Sequence, residues 1–131
     1  MSGHADTVVD IGCGAGAMSR ALARPDRTVI GVDISADELR LARDHGPGPW
    51  IQADARSLPI ADASVDVVVS TLGLAVIHPL RTWLDEVARV LRPGGVLAAL
   101  TPAVRPLSAS DAGVGLGILV HLRAFPTYPV G

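Results

Sequence analysis

The residues best suited to chemistry are three glycines that follow an acid at the end of an apolar run. Val8, Val9 and Asp10 lead into Gly12, Gly14 and Gly16, which stand at every second position. Glycine tolerates positive φ and has no Cβ to obstruct a ligand, and the first backbone N–H groups of a helix lack partners within that helix. This spacing predicts a buried strand that turns sharply into a helix and cradles a nucleotide-like ligand. Gly12, Gly14 and Ala17 also satisfy the loose dinucleotide fingerprint, so the ligand stays open at this point.

Acids also follow later apolar runs. Asp33 closes the run that begins at Thr28, and Asp54 closes the run that begins at Trp50. Asp66 and Ser70 bracket a fourth run, and because Asp66 stands at the start of that run, it stays open whether it faces the ligand or only caps the strand. Because ligands of open α/β sheets bind at the carboxyl ends of the strands, we expect acids placed there to face the glycine loop.

Strands and helices alternate along the chain. The predicted strands cover about residues 7–11, 28–33, 50–54, 65–70 and 96–100. The predicted helices begin near residues 15, 35 and 79 and stop at 25, 46 and 92–95, and Ser35 with Glu38 forms a capping box. Because each strand is a nearly continuous apolar run, we expect an open Rossmann-like three-layer α/β sandwich whose sheet is mostly parallel, with about five strands.

The C-terminal part of the chain carries a weaker signal. Residues 114–122 are apolar but follow or include Gly113, Gly115 and Gly117, which predicts a poor helix and no sixth strand. We therefore expect one domain over residues 1–131, with its core at about 7–102 and an irregular or weakly helical tail at 103–131.

The composition of the chain disfavours some classes of function. The chain has 131 residues and a net charge of −2, which disfavours a large nucleic-acid footprint. All 11 positively charged side chains are arginine, so the lysine that phosphoryl transfer commonly uses is missing. There is one cysteine and no signal-peptide or membrane-span pattern, so we expect a cytoplasmic protein.

Four segments together resemble the class I S-adenosylmethionine-dependent methyltransferases that act on small molecules. They are Asp10-x-Gly12-x-Gly14-x-Gly16, Gly31-Val32-Asp33-Ile34-Ser35, Gln52-Ala53-Asp54-Ala55 and Arg89-Val90-Leu91-Arg92-Pro93-Gly94-Gly95. The similarity covers about residues 7–102. It implies S-adenosylmethionine as the cofactor and methyl transfer to a small molecule as the reaction.

The resemblance also implies roles for single residues. The glycine loop, including Cys13, would lie against the methionine part of the cofactor, with Asp10 organising the loop and the ammonium group. Asp33 would accept hydrogen bonds from both ribose hydroxyls, since a carboxylate offers two acceptor oxygens. Ile34 would pack on the adenine. Asp54 and Ala55 would contact the edge of the adenine, and Ser70 would lie near the methyl group.

Two further side chains, His78 and Cys13, are of types that can act in catalysis. His78 follows the fourth strand and is a weak candidate for a general base. The alternative, which the sequence favours, is that His78 only caps or precedes the helix that begins at Pro79. Cys13 is expected to be a small packing residue rather than a nucleophile, because no base is placed beside it. His4, His45 and His121 are scattered and do not indicate a metal site.

The chain departs from the resembled family in two places. The family usually has helices before the first strand and two further strands after the fifth, and neither is expected here. We therefore expect an uncovered fifth strand and a homodimer or a partner subunit that covers it. Two alternatives to methyl transfer remain: a non-catalytic S-adenosylmethionine-binding or partner subunit, and a nicotinamide-dinucleotide-binding module.

Overall fold

The structure, a computed structural model, describes residues 6–71, 76–101 and 118–123, and its side chains over 6–71 and 76–99. The strands are β1 Asp6–Ile11, β2 Arg27–Asp33, β3 Trp50–Gln52, β4 Val65–Thr71, β5 Leu91–Thr101 and β6 Ile118–Arg123. The helices are α1 Ala17–Leu22, α2 Ala36–His45 and α3 Leu80–Val90. The tail predicted for 103–117 and 124–131 lies outside the described residues.

These strands form one sheet in the order β3-β2-β1-β4-β5-β6. The first five strands in that order run parallel, and helices flank them, so the predicted fold class is confirmed. Central β1 pairs Val9 with Ile30 of β2 on one side and with Val68 of β4 on the other. Val9, Val68 and the α3 residue Trp83 are fully buried. Their burial fixes β1, and with it the loop that follows β1.

Three predicted helix boundaries differ from the structure, and one of them is the end of α1, which lies at Leu22 rather than next to Pro25. Helix α1 begins at Ala17 rather than Ala15, because Gly14 and Gly16 have φ of 54° and 88°, outside the helical region. Helix α3 ends at Val90, and residues 92–95 already belong to β5. Opposite the single residue Asp66 of β4, β5 therefore has four residues, an irregularity that its glycines tolerate.

The prediction of no sixth strand was wrong. Residues 118–123, for which we expected a weak helix or irregular chain, form β6 and pair antiparallel with β5 from Val96↔Arg123 to Thr101↔Ile118. A sequence that contains Ile118 and Val120 suits a strand, and the unpaired backbone groups along β5 supply its partner. A prediction from local sequence patterns missed this strand, because its pairing joins distant parts of the chain. The homodimer or partner subunit was expected because the edge of β5 would be uncovered. Since β6 covers that edge, this reason no longer holds.

Among the helices that the structure describes, none combines the length and the apolar character that crossing a membrane requires.

Candidate functional site

A pocket of about 460 Å³ opens at the carboxyl ends of β1, β2, β3 and β4. Its walls come from the loop after β1, the segments after β2 and β3, the end of β4 and the turn before α3. Six of the predicted site residues line it: Gly12, Asp33, Ile34, Asp54, Ala55 and His78. The topology therefore brings together residues that are up to 66 positions apart in the sequence, from Gly12 to His78.

The glycine loop is held against the end of β2. The backbone N–H groups of Gly12 and Cys13 donate to the Val32 carbonyl oxygen over 2.8 Å and 3.0 Å. Gly12 has a φ of 73°, which side-chain-bearing residues rarely adopt, and a Cβ built there meets nothing within 4 Å. Gly12 thus leaves open space at the wall of the pocket.

Asp33 joins the loop to the start of α2. Its Oδ2 accepts from the Gly14 N–H over 2.8 Å, and its Oδ1 accepts from the Ser35 N–H, also over 2.8 Å. An ionised carboxylate has about four acceptor positions, two on each oxygen. Since one bond reaches each oxygen, each keeps one acceptor position in a side chain that lines the pocket. Asp33 is therefore held in place while still able to accept two donors from a ligand.

Five of the predicted cofactor contacts do not line the pocket: Asp10, Cys13, Gly14, Gly16 and Ser70. Two of these, Asp10 and Ser70, are buried polar side chains. Asp10 is 1% exposed, and the Ser19 hydroxyl donates to its Oδ2 over 2.7 Å. Burial raises the pKa of the Asp10 carboxyl, and the nearby charge of Asp33 adds to this, while the bond from Ser19 opposes it. Ser70 is also buried and donates to the Ile11 carbonyl oxygen. Both side chains support the loop from below.

Cys13 is buried beside the same loop and remains a thiol at neutral pH. Burial, with the neighbouring charges of Asp10 and Asp33, raises its pKa to about 12. Its Sγ donates to the Gly14 carbonyl oxygen over 3.6 Å. Because a thiolate is the nucleophilic form, this environment disfavours covalent chemistry at Cys13.

Asp66 lies away from the pocket, since it stands near the amino end of β4. Its Oδ2 accepts from the Thr7 N–H over 2.8 Å, and Arg92 lies 3.4 Å from its Oδ1. The sequence placed Asp66 at the start of its strand and left open whether it faces the ligand, and the structure shows that it does not line the pocket.

Asp54 lines the pocket together with Arg56, a residue that the sequence analysis missed. The Arg56 guanidinium donates to Oδ1 over 3.0 Å and to Oδ2 over 2.6 Å, and the Arg56 N–H also reaches Oδ1. These hydrogen bonds lower the pKa of Asp54 to about 2. A third guanidinium bond runs over 2.8 Å to the His78 carbonyl oxygen. Arg56 thus connects two walls of the pocket.

The substitution Arg56→Gln is expected to raise the pKa of Asp54 from about 2 towards its usual 3.8, because the guanidinium bonds are the main cause of the shift. The stability that a lowered carboxyl pKa provides is present above the unfolded pKa and lost as pH falls towards the folded one. Carboxyl-carbon NMR across this acid range measures the change. Arg40→Gln removes a guanidinium 3.4 Å from Asp37 instead, and should leave the Asp54 titration unaltered. An unchanged Asp54 pKa in Arg56→Gln would contradict the assignment.

Apolar side chains complete the pocket. Ile34 and Val76 are each 67% exposed although both are large and aliphatic, and both line the same space. Thr71, Val76 and Ile77 were not predicted as site residues, because nothing in their spacing marks them. His78 is exposed and lines the pocket, and the N-cap of α3 is Pro79 rather than His78. The geometry thus provides an apolar slot beside two carboxylates.

Comparison with known proteins places this arrangement in a family. A family model described as a methyltransferase domain matches residues 9–99. The chain is 39% identical over 102 residues to malonyl-[acyl-carrier protein] O-methyltransferase of Pectobacterium atrosepticum, covering 77% of this chain and 40% of that protein. It is 44% identical over 101 residues to trans-aconitate 2-methyltransferase of Azoarcus sp., covering 75% and 40%.

A solved structure agrees with these relatives. The S-adenosylmethionine-dependent methyltransferase of Mesorhizobium loti superposes with a TM-score of 0.68 at 30% identity, covering 76% of this chain and 48% of that one. The chain spans less than half the length of each of these three proteins. The matched residues include the glycine loop, Asp33 and Asp54, which form the pocket described above. The chain belongs to the class I S-adenosylmethionine-dependent methyltransferases.

Proposed function

We propose that this chain binds S-adenosylmethionine in the pocket at the carboxyl ends of β1–β4 and catalyses methyl transfer from it to a small-molecule acceptor. The observation that carries the proposal is Asp33. Its carboxylate is anchored by two backbone N–H groups and still offers one acceptor position on each oxygen towards the pocket. A pair of adjacent hydroxyls, as on a ribose, supplies the two donors that such a group accepts.

The rest of the pocket fits the other parts of this cofactor. Ile34 and Val76 offer exposed aliphatic surface for a flat ring such as adenine. At the same wall, Asp54 Oδ2 accepts only one described bond, so it can still accept from an amino group. Gly12 leaves the space through which a ligand can approach the backbone. Asp10, Cys13, Gly14, Gly16 and Ser70 would then hold or support the loop.

The charges favour this cofactor over a dinucleotide. S-adenosylmethionine carries a sulfonium and an ammonium group and no phosphate. Asp33 and Asp54 line the pocket, and Arg56 offsets only one of these carboxylates. A pyrophosphate would meet a net negative wall, and the relatives found give no support to the nicotinamide alternative.

The chain's own contribution to catalysis is alignment. When bound, the cofactor supplies a methyl group on a positively charged sulfur that is already a good leaving group. The glycine loop and Asp33 would fix where this group sits, and the apolar side chains would exclude water while the acceptor approaches in line. No proton acceptor is strictly required. If the acceptor must lose a proton, His78 is the candidate base because it lines the same pocket.

The acceptor class is suggested by the relatives' names. One acts on a malonyl group carried by a protein and another on trans-aconitate, so both names contain a carboxylic acid. Small carboxylic acids are therefore the first acceptors to test.

Transfer of labelled methyl from S-adenosylmethionine to a panel of small acceptors, carboxylic acids first, tests the proposal. We expect turnover with at least one acceptor and, in Asp33→Ala, a KM for S-adenosylmethionine that rises about 10- to 150-fold. A KM that Asp33→Ala leaves unchanged would contradict the assigned role of this residue. Tight cofactor binding without transfer to any acceptor would instead favour a non-catalytic binding subunit.

A further inference from the structure

A second pocket, of about 480 Å³, lies outside the methyltransferase pocket and shares no lining residue with it. It is formed by α1, the amino-terminal half of β2 and residues 45–50 between α2 and β3. Its volume lies within the range of about 300–1,000 Å³ typical of small-molecule sites.

The charge of this second pocket is one-sided. Arg20, Arg27 and His45 line it, and no aspartate or glutamate does. Most arginines in the part of the chain that the structure describes pair with a carboxylate, for example Arg24 with Asp26. Arg20 and Arg27 make no described ion pair, although the whole chain is net negative. Two arginines without an ion pair among the described residues thus line one concave surface.

Both guanidinium groups are held by backbone oxygens. Arg20 Nη1 donates to the Ala15 carbonyl over 2.7 Å, and Arg27 Nη1 donates to the Leu22 carbonyl over 3.0 Å. Arg27 Nε is buried and has no hydrogen-bond partner within the described residues, so the Arg27 charge is poorly compensated. Each guanidinium has five N–H donors, so donors remain for an anion.

A second part of the lining is flat and apolar. Pro47, Pro49 and the Trp50 indole form it. The indole is fixed: its Nε1 donates to the Gly46 carbonyl over 3.2 Å. Its ring also occupies the space where a Cβ on Gly31 would stand, since that Cβ would lie 2.4 Å from a Trp50 ring carbon. A planar ring could lie against this wall with an acidic group towards the arginines.

We propose that this second pocket binds a small organic anion with a flat apolar body, such as an aromatic carboxylate. Arg20, which lies beside the Trp50 ring, would bind the acidic group, Arg27 would add positive charge to the same pocket, and the wall at Trp50 would bind the ring. Neither element alone selects this class: the arginines would accept any anion, and the apolar wall would accept any flat molecule. This inference stands independently of the methyl-transfer proposal, because the two pockets are separate.

The test is a titration of the full chain with benzoate, followed by proton–nitrogen correlation NMR. The chain has two tryptophans, so two indole N–H signals are expected, and Trp50→Phe assigns them. We expect the Trp50 signal to shift and saturate with a dissociation constant on the order of 1 mM, given the size of the ligand. The signal of Trp83, which is fully buried elsewhere in the core, should stay in place.

Three comparisons separate this site from non-specific binding. Benzamide, which has the ring but no charge, and acetate, which has the charge but no ring, should each bind more weakly than benzoate. Arg20→Gln should weaken benzoate binding about fivefold, a modest change because an exposed cation is screened by solvent. Arg43→Gln, at an exposed and unpaired arginine outside the pocket, should leave the affinity unchanged.

Several results would overturn the proposal. They are the absence of a saturable Trp50 shift, equal binding of benzamide and benzoate, and an affinity that Arg20→Gln leaves unchanged. Shifts confined to the backbone signals of Gly12 and Ala55 would show that benzoate enters the methyltransferase pocket, and would also reject the second site.

Discussion

Replacing Asp33 with alanine is expected to weaken the binding of S-adenosylhomocysteine, the cofactor without its methyl group, by about 10- to 150-fold. This change corresponds to the ~1.5–3 kcal/mol of free energy that hydrogen bonds to a charged group contribute. The substitution removes the carboxylate that is proposed to accept both ribose hydroxyls and that lines the pocket. It also removes the acceptors for Gly14 and Ser35, so part of the loss would come from a loosened glycine loop. Isothermal titration calorimetry measures the affinity, and a thermal melt shows whether the variant remains folded.

Asp37→Ala is the matched control for this prediction. Asp37 stands four residues later in the first turn of α2, with a side chain that is 89% exposed and paired with Arg40 rather than directed to the pocket. Its loss should leave the affinity within twofold of wild type, since a surface ion pair contributes about 0–1 kcal/mol to stability and this one touches no pocket residue. Equal affinities of Asp33→Ala and Asp37→Ala would mean that Asp33 does not bind the ribose.

The substitution Gly12→Ala is expected to lower the affinity for S-adenosylhomocysteine at least about tenfold. Gly12 lines the pocket at a φ of 73°, and an added Cβ would enter space that is open in the structure. In addition, alanine in a left-handed conformation costs about 1–2 kcal/mol of folding free energy. Calorimetry measures the affinity, and urea unfolding measures the stability.

Gly94→Ala separates these two effects. Gly94 has a similar φ of 82°, and a Cβ built there also meets nothing within 4 Å, but it belongs to β5 and does not line the pocket. Both variants should therefore lose a similar free energy of unfolding, while only Gly12→Ala loses affinity. A binding defect of the same size in Gly94→Ala would show that the effect is one of stability, not of the cradle.

The sequence predicted the parts of this molecule that local patterns determine. The glycine spacing, the acids after apolar runs and the Ser35 capping position each depend on residues close together in the chain, and the Ser35 hydroxyl accepts from the Glu38 N–H as the capping box requires. The mostly parallel sheet with flanking helices also followed, because each strand is a nearly continuous apolar run between helical segments. These features were sufficient to place Gly12, Asp33 and Asp54 at one pocket.

What the sequence did not reveal depends on contacts between distant segments. Strand β6 forms against β5, about 20 residues earlier, and no local propensity could show that pairing. Arg56 looked like an ordinary surface arginine until its bond to the His78 carbonyl oxygen, 22 positions away, became visible. Asp10 and Ser70 are buried and do not line the pocket, because packing sets the depth of a side chain, and their contact with the cofactor stays a prediction.

The central claim is that the pocket at the carboxyl ends of β1–β4 binds S-adenosylmethionine, and calorimetric titration tests it most directly. The purified chain is titrated with S-adenosylhomocysteine and, in parallel, with NADH. We predict saturable one-to-one binding of S-adenosylhomocysteine in the micromolar range and no binding of NADH. Binding of NADH in place of S-adenosylhomocysteine, or of neither compound, would contradict the account.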